Sequence, residues 1–470
     1  VSRRHGVLGA AAFVAAALVA PPARSIVWTV DDDGAADFSS IQSAINTASN
    51  GDEIVVRPGR YRETLNFLGK AITVRSEAGP DVTTVFLEQE TRIVLLDGDA
   101  TLRGFTITGG FARVGAGIRV TAGADAVIDG NVIVANTADR GGTGLALGGG
   151  IAVENLSRAV ITRNVIEGNS AIGDAQGLYA YGAAIDVGDD CTAVITDNVI
   201  VGNHASDSGG AVSVGAAGTI APVEIAHNTI LDNSAGQAGQ TASLGGGMLV
   251  DRDAVAVVRN NLVVGNSAVT SGGGVYFGSG TLSGITYQTN DFNANVPNDC
   301  AGATGNRCTN GQFFLAPLFL DAAAGDFRPR SDSPILDLAS TGGSSTTDFD
   351  GNPRNVDGDY DGSAAPDIGA HENRREVTRL RFDSKTALAW DDSKNPSAVF
   401  DLFRDGLAAL GSPALGTCLA PSLSSPAASD TVTPAIGDGF LYLVRARAAA
   451  AGSLGYGSDG RERQPGTTCP

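Results

Sequence analysis

Residues 159–169 read AVITRNVIEGN, and residues 193–203 read AVITDNVIVGN, 34 positions further on. Each stretch opens on a strand-like run of period two, Ala159-Val160-Ile161-Thr162 in the first. It then closes on two asparagines five apart around an aliphatic centre. The same pair recurs as Asn131-VIVA-Asn136, Asn164-VIEG-Asn169, Asn198-VIVG-Asn203, Asn228-TILD-Asn233, Asn261-LVVG-Asn266 and Asn290-DFNA-Asn295, while Gly104-FTIT-Gly109 carries glycines in their place. First asparagines are 33, 34, 30, 33 and 29 residues apart, a period that belongs to solenoids. A second mark keeps step: Gly115-AGI, Gly148-GGI, Gly182-AAI, Gly209-GAV, Gly245-GGM and Gly272-GGV.

Three short strands separated by Gly or Asn turns and repeated in register predict a coil whose turns hydrogen-bond to one another about 4.8 Å apart, a right-handed parallel β-helix. Helical periodicity is absent from the whole repeat, which argues against an open α/β sheet. Ile128, Ile161, Ile195, Ile225 and Val258 form one expected inward column, and Ile133, Ile166, Ile200, Ile230 and Val263 a second. Each buried aliphatic contributes roughly 1.5 to 3 kcal/mol, but one turn cannot cover its own core. The ends therefore need caps. Asp37-FSSIQSAINTA supplies one: Ser39 and Gln42 stand in capping-box spacing, and Ile41, Ala44, Ile45 and Ala48 share one helical face.

The rest of the chain bounds the class. It has 470 residues with 63 glycines and only 18 prolines, so the glycine excess is not of the collagen or linker kind. A net charge of −19 opposes phosphate backbones and excludes nucleic acid as a partner. Four histidines and five scattered cysteines give no zinc-ligand spacing. Residues 1–23 read as a signal peptide: Arg3 and Arg4 precede the apolar run Gly6 to Ala20, followed by small residues. Ser2-Arg3-Arg4 hints at twin-arginine export, and Val1 fits a non-AUG start. An extracellular, cell-surface or periplasmic monomer without a membrane span is expected. In that compartment Cys300 should pair with Cys308 and Cys418 with Cys469, leaving Cys191 as a buried thiol.

Several stretches resemble known families. Asp37 to Glu63, ending GDEIVVRPGRYRE, resembles the entry of pectinesterase-like and pectate-lyase-like β-helices, which implies the fold and the first turn. The glycine and asparagine marks resemble those of polymorphic outer-membrane proteins, with Ile or Val mostly in place of Phe and only Phe292 kept. Ser333 to Glu372, SPILD…TDFDGNPR…DIGAHE, resembles the choice-of-anchor segment that closes many bacterial β-helices. The expected all-β chain thus has a helix-capped β-helix over residues 26–372 and a small β-sandwich over 377–470, joined by the charged linker at Asn373. The tail resembles a fibronectin type III domain, with Trp390 as core tryptophan and Tyr442 as corner tyrosine.

Insertions fall at one point of the repeat, between the second asparagine and the next glycine mark: Thr137–Leu147, Ser170–Tyr181, His204–Ser208, Ser234–Leu244 and Ser267–Ser271. Loops leaving one edge would wall an outer face carrying Arg119, Glu154 and Asp186 on consecutive turns, with Tyr179 and Tyr181 beside them. Carboxylates, a guanidinium and aromatic rings suit a glycan. Solvated exterior residues are the plainer alternative. Gly188-Asp189-Asp190-Cys191 resembles the DDC strand of polygalacturonases, which would make Asp189 and Asp190 catalytic, but that family's GHG and RIK are absent, as are the DFIFG of pectinesterases and the WIDH of pectate lyases. Asp357, Asp359 and Asp361 resemble the start of a calcium loop, although Ile368 stands where an EF-hand has Glu. A looser site would use Asp348, Asp350 or Asp367, and an ion-free acidic turn is equally tolerable.

With family signatures missing, the sequence reads first as a secreted or cell-surface scaffold that binds polysaccharide or a surface partner through one lateral face. The alternative is a polysaccharide lyase or glycoside hydrolase acting on acidic polysaccharide at that face. An envelope spacer without ligand is the third reading.

Overall fold

The computed structural model describes residues 25–87, 91–142, 144–216, 221–237, 240, 242–251, 253–278, 284–302, 311–343, 345–356, 358, 363–373, 378–382, 384, 386–391, 399–406, 414–434, 439–447, 464–465 and 469. The expected signal peptide lies outside them.

The repeat folds as a right-handed parallel β-helix. Ile128 pairs with Ile161, Ile161 with Ile195, Ile195 with Ile225 and Ile225 with Val258. The second column stacks likewise, Ile133 on Ile166, Ile200, Ile230 and Val263. All ten side chains are fully buried. Stacking of identical apolar side chains turns one weak turn into a continuous core.

The middle turns contribute strands to four long sheets, where three strands were expected, and two of them add a fifth short strand, Ala146–Leu147 and Ala180–Tyr181. A leading sheet (Val27–Val30 to Ile285–Gln288) is followed by an asparagine sheet (Gly59–Tyr61 to Asp291–Asn293), a short alanine sheet (Phe111–Ala112 to Ser267–Ala268) and a fourth sheet (Leu65–Asn66 to Cys300–Gly302), here called the site sheet. The alanine sheet is built from the first residues of the insertions, which therefore begin as strands and become loops only afterwards. Its alternate residues Ala138, Ala171, Ala205, Ala235 and Ala268 are all buried, and the first three pack with Ala146, Ala180 and Ala183 in a small cluster separate from the main core.

The asparagines stack their amides from one turn to the next, but the left-handed conformation falls on the residue before each one: Arg163, Asp197, His227 and Asn260 have φ between 53° and 59°. Asn164 bridges over such a residue, its Nδ2 donating to the Thr162 carbonyl at 2.9 Å. The same amide donates to Asn198 Oδ1 on the next turn at 3.0 Å, and its own Oδ1 accepts from the Asn131 backbone at 2.9 Å. An unbroken buried amide ladder thus offsets the backbone strain at the corners.

The expected cap is present as the helix Ile41–Thr47. Its N-cap is Ser40 rather than Ser39, with Ser43 N–H donating to Ser40 Oγ at 3.2 Å. Gln42 does not close a capping box; it bonds the Asn66 backbone. Glu63 replaces it, accepting from Ser40 Oγ, Ile41 N and Gln42 N at 2.8 to 2.9 Å. At the other end Lys70 Nζ satisfies the carbonyls of Ile45, Asn46 and Ala48.

The closing segment folds back along the flank of the coil. Gly369 N–H donates to the Asn260 carbonyl at 2.9 Å, Ala370 N–H to Thr229 Oγ1 at 3.0 Å, and Ser345 Oγ to Asp197 at 2.7 Å. Asn373, expected in a linker, is buried and bonds Asp367 and the Pro329 carbonyl. The C-terminal region holds two three-stranded antiparallel sheets. Trp390, Phe400, Leu402 and Val444 form its core, and Cys418 is bridged to Cys469. Tyr442 gives its hydroxyl to the Asp430 carboxylate at 2.8 Å, where a corner tyrosine would bond backbone. Cys191 is a free, buried thiol. Cys300 is disulfide-bonded, and its expected partner Cys308 lies outside the described residues.

Candidate functional site

The site sheet has the expected register. Ile118 pairs with Ile151 and Ile151 with Ile185, so Arg119, Ala152, Asp186 and Ser213 follow one another on its outer face. What precedes each strand covers that face. Gly182 (φ 59°) folds the chain so tightly that a Cβ there would lie 2.4 Å from the Ile185 carbonyl oxygen and 2.9 Å from Asp186 Cα. No side chain but hydrogen fits there.

Arg119 and Glu154 are brought together. Arg119 Nε donates to Glu154 Oε2 at 2.6 Å, both side chains being partly buried. Beneath this pair Arg92 donates from Nη2 to the Val114 carbonyl at 3.0 Å, while its Nε finds no acceptor among the described residues. Burial and the neighbouring Arg119 charge lower its pKa. Arg92 was not singled out in the sequence because its two-residue offset from Val94 is invisible without the register.

Asp186 lies beside them but is only 4 % exposed. Burial pushes its carboxyl up to about 8, the Ser213 side chain pulls the other way, and the charges of Glu154 and Asp189 raise it further. Burial thus favours the protonated form of Asp186, whereas Glu154 is the ion-paired partner of a guanidinium. Two carboxyl groups on neighbouring turns therefore stand in opposite roles.

The polygalacturonase-like pair lies at the edge of this group. Asp189 and Asp190 are exposed in the turn that leaves the site sheet; Asp189 accepts from Ala216 N at 2.9 Å, and Asp190 has φ 57°. Nearby, burial raises the Cys191 thiol pKa.

The loops form a wall. Arg140 meets Asp174 at 3.3 Å and lies 4.6 Å over the Tyr179 ring, and Tyr179 N–H donates to Asp207 at 2.7 Å. Tyr181 is half-buried in the strand pair Ala146–Leu147 with Ala180–Tyr181, and burial together with Asp207 pushes its hydroxyl pKa up. Tyr179 is the exposed ring of the two.

Asp357, Asp359 and Asp361 lie outside the described residues. Asp348, Asp350 and Asp367 are each engaged internally, with Asn352 N and Glu372 N, with His371, and with Asp337 N and Asn373 N respectively. The described residues offer a divalent cation such as calcium another place: Asp31, Asp32 and Asp33 put carboxylate oxygens within 4.8 Å of one another. Asp31 is also paired with Arg57 at 3.1 Å.

A family model described as a right-handed β-helix region matches residues 81–312. No curated protein matches the chain. Among solved structures, pectate lyase Pel9A has 12 % identity over 74 % of this chain and 96 % of its own, with a TM-score of 0.37. The carrot pectin methylesterase has 15 % identity over 65 % and 92 %, with a TM-score of 0.33. The pectin methylesterase PemA of Erwinia chrysanthemi has 12 % identity over 65 % and 95 %, with a TM-score of 0.30. At such values these likenesses carry no argument about chemistry. Among the described residues no helix is long and apolar enough to cross a membrane.

Proposed function

We propose that this chain is an exported glycoside hydrolase acting on a polysaccharide at the outer face of the site sheet. Asp186 is the proton donor and Glu154 the partner carboxylate. The observation that carries the reading is the division of roles between these two groups, one protonated by burial and one ion-paired to Arg119 at 2.6 Å. Asp186 pairs with Ala152, two residues before Glu154, so their backbones are about 8 Å apart on a diagonal. Side chains from such positions can span the roughly 6.5 to 9.5 Å between the carboxyls of inverting glycosidases, which leaves room for a water. Asp186 would protonate the glycosidic oxygen as the C–O bond breaks, and Glu154 would take the proton of the attacking water. Lyase chemistry fits less well, since the Arg119 guanidinium is engaged by Glu154 at 2.6 Å.

The test is release of reducing ends from a polysaccharide panel, alongside the ultraviolet absorbance of unsaturated products. Hydrolysis lost in both Asp186→Asn and Glu154→Gln is the expected result. Unsaturated products, or hydrolysis that survives both changes, would overturn it.

A second reading, a scaffold that binds glycan without turnover, is favoured by one observation: Arg119 and Glu154 satisfy each other and Asp186 is covered. Retention on a glycan that is never cleaved would decide for it.

A further inference from the structure

We propose that Tyr179 and Leu145 form a stacking subsite for pyranose rings of a neutral polysaccharide, lying along the coil axis on the loop wall. The inference rests on the carbohydrate-directed reading above and adds the substrate class.

Ala146 pairs with Ala180 and Leu147 with Tyr181, which sets Leu145 beside Tyr179 on the adjacent turn. Both are large and apolar, and both stay open: Tyr179 is 43 % and Leu145 42 % exposed. Leu178 and Ile172 are also exposed in the same loops. Leu145 and Tyr179, side by side on adjacent turns, make an exposed apolar pair rather than single scattered residues.

The platform is held in place before any ligand arrives. Tyr179 has φ 74°, a strained conformation for a bulky residue. Its N–H donates to Asp207 at 2.7 Å and its carbonyl accepts from Ala146 N at 2.8 Å. Asp174 Oδ1 accepts from Gln176 N and Leu178 N at 3.0 and 2.9 Å. Gln240, from a loop two turns further on, donates to the Gln176 carbonyl at 2.8 Å. An aromatic ring fixed in this way stacks on the C–H face of a sugar with little entropy left to lose.

Charge selects the sugar. Arg140 covers part of the Tyr179 ring but is committed to Asp174 and to the Gly144 carbonyl at 2.7 Å. Asp139, Asp174 and Asp207 outweigh Arg140 and the neighbouring Arg113, on a chain whose net charge is −19. A uronate at every ring would meet net repulsion here, and the guanidinium over the Tyr179 ring is already engaged by Asp174, whereas neutral hydroxyls can donate to these carboxylates.

Affinity electrophoresis of the full chain tests this, with xyloglucan, galactomannan and arabinoxylan as neutral probes and polygalacturonate and alginate as acidic ones. Expected is retardation by at least one neutral probe, weakened tenfold or more in Tyr179→Ala and kept in Tyr179→Phe. Leu145→Asp, at an exposed position, should weaken it as well and covers the case in which Tyr179→Ala does not fold. Stronger binding of either acidic probe, no retardation by any neutral probe, or unchanged retardation in the folded variants would overturn the inference. Cleavage of an acidic probe that Asp186→Asn abolishes would leave the hydrolase reading standing and remove only this one. Retention on a neutral probe without cleavage would do the reverse.

Discussion

Arg354 donates from Nη2 to Asp197 Oδ1 at 2.6 Å, joining two buried residues 157 positions apart and tying the closing segment to the coil. The same guanidinium reaches Glu372 Oε1 at 2.5 Å and the carbonyls of Gly369 and Ala370. Arg354→Met would leave two carboxylates buried without their cation. Removing one partner of a buried pair costs about 3 to 5 kcal/mol. The expected outcome is an earlier urea transition by that amount, and cleavage of residues 335–373 by protease at concentrations that leave the wild type intact.

The asparagine ladder predicts an unusually high cost for a polar residue. Asn198 Nδ2 donates to the Ile161 and Thr196 carbonyls and to Asn228 Oδ1, and its Oδ1 accepts twice from Asn164. Asn198→Leu would strand these partners in a water-free interior, where each unsatisfied group costs about 1 to 3 kcal/mol. Loss of at least about 3 kcal/mol is expected in equilibrium denaturation, against under about 1 kcal/mol for Val201→Ala on the same turn, which points outward.

How far the sequence revealed this molecule depends on how local each determinant is. The inward columns were readable at Ile161 and Ile195 because period-two alternation and a fixed repeat length leave one register that buries them. The alanine sheet was missed, although Asn-Thr-Ala, Asn-Ser-Ala and Asn-His-Ala follow the second asparagine at 136, 169 and 203. Strands of two or three residues bury one side chain each, and alanine gives no hydrophobic signal. Glu63 as the helix cap and Asp197 as the anchor of Arg354 depend on long-range folding, and no spacing announces them. At the site, the neighbourhood of Arg119, Glu154 and Asp186 followed from the register. The covering of Asp186 did not, since it depends on the fold of the chain at Gly182.

Cysteine chemistry offers an independent check. The 51-residue separation of Cys418 and Cys469 would give a loop-closure stabilisation of about 4 kcal/mol on chain-entropy grounds. Cys418→Ser should therefore lower the stability of the C-terminal sheets by about 2 to 4 kcal/mol. Cys191 is buried and its thiol pKa is raised. Thiol titration without reductant should find no reactive group in the native protein and one after unfolding; a free thiol from Cys300 would contradict the bridge assigned to it.

The last prediction concerns pH, and its sign follows from the direction of the Asp186 shift. Burial raises this carboxyl from 3.8 in the unfolded chain to about 8 in the folded one. Below about pH 4 both states hold the proton and nothing is lost. As pH rises from about 4 to about 8, the unfolded chain gives up its proton while the folded chain keeps it, so stability falls across that window and levels off above it. Glu372, raised to about 7, and Asp367, raised well above the usual range by burial, push in the same direction. Asp186→Asn removes one part of this dependence. Its urea midpoint should match the wild type near pH 4 and exceed it near pH 8, with a shallower slope between. The same proton is the one the hydrolase reading spends on the leaving group, so turnover should decline as pH rises through about 8. An Asp186→Asn slope as steep as the wild type would mean that Asp186 is ionised in the folded protein and cannot be the acid.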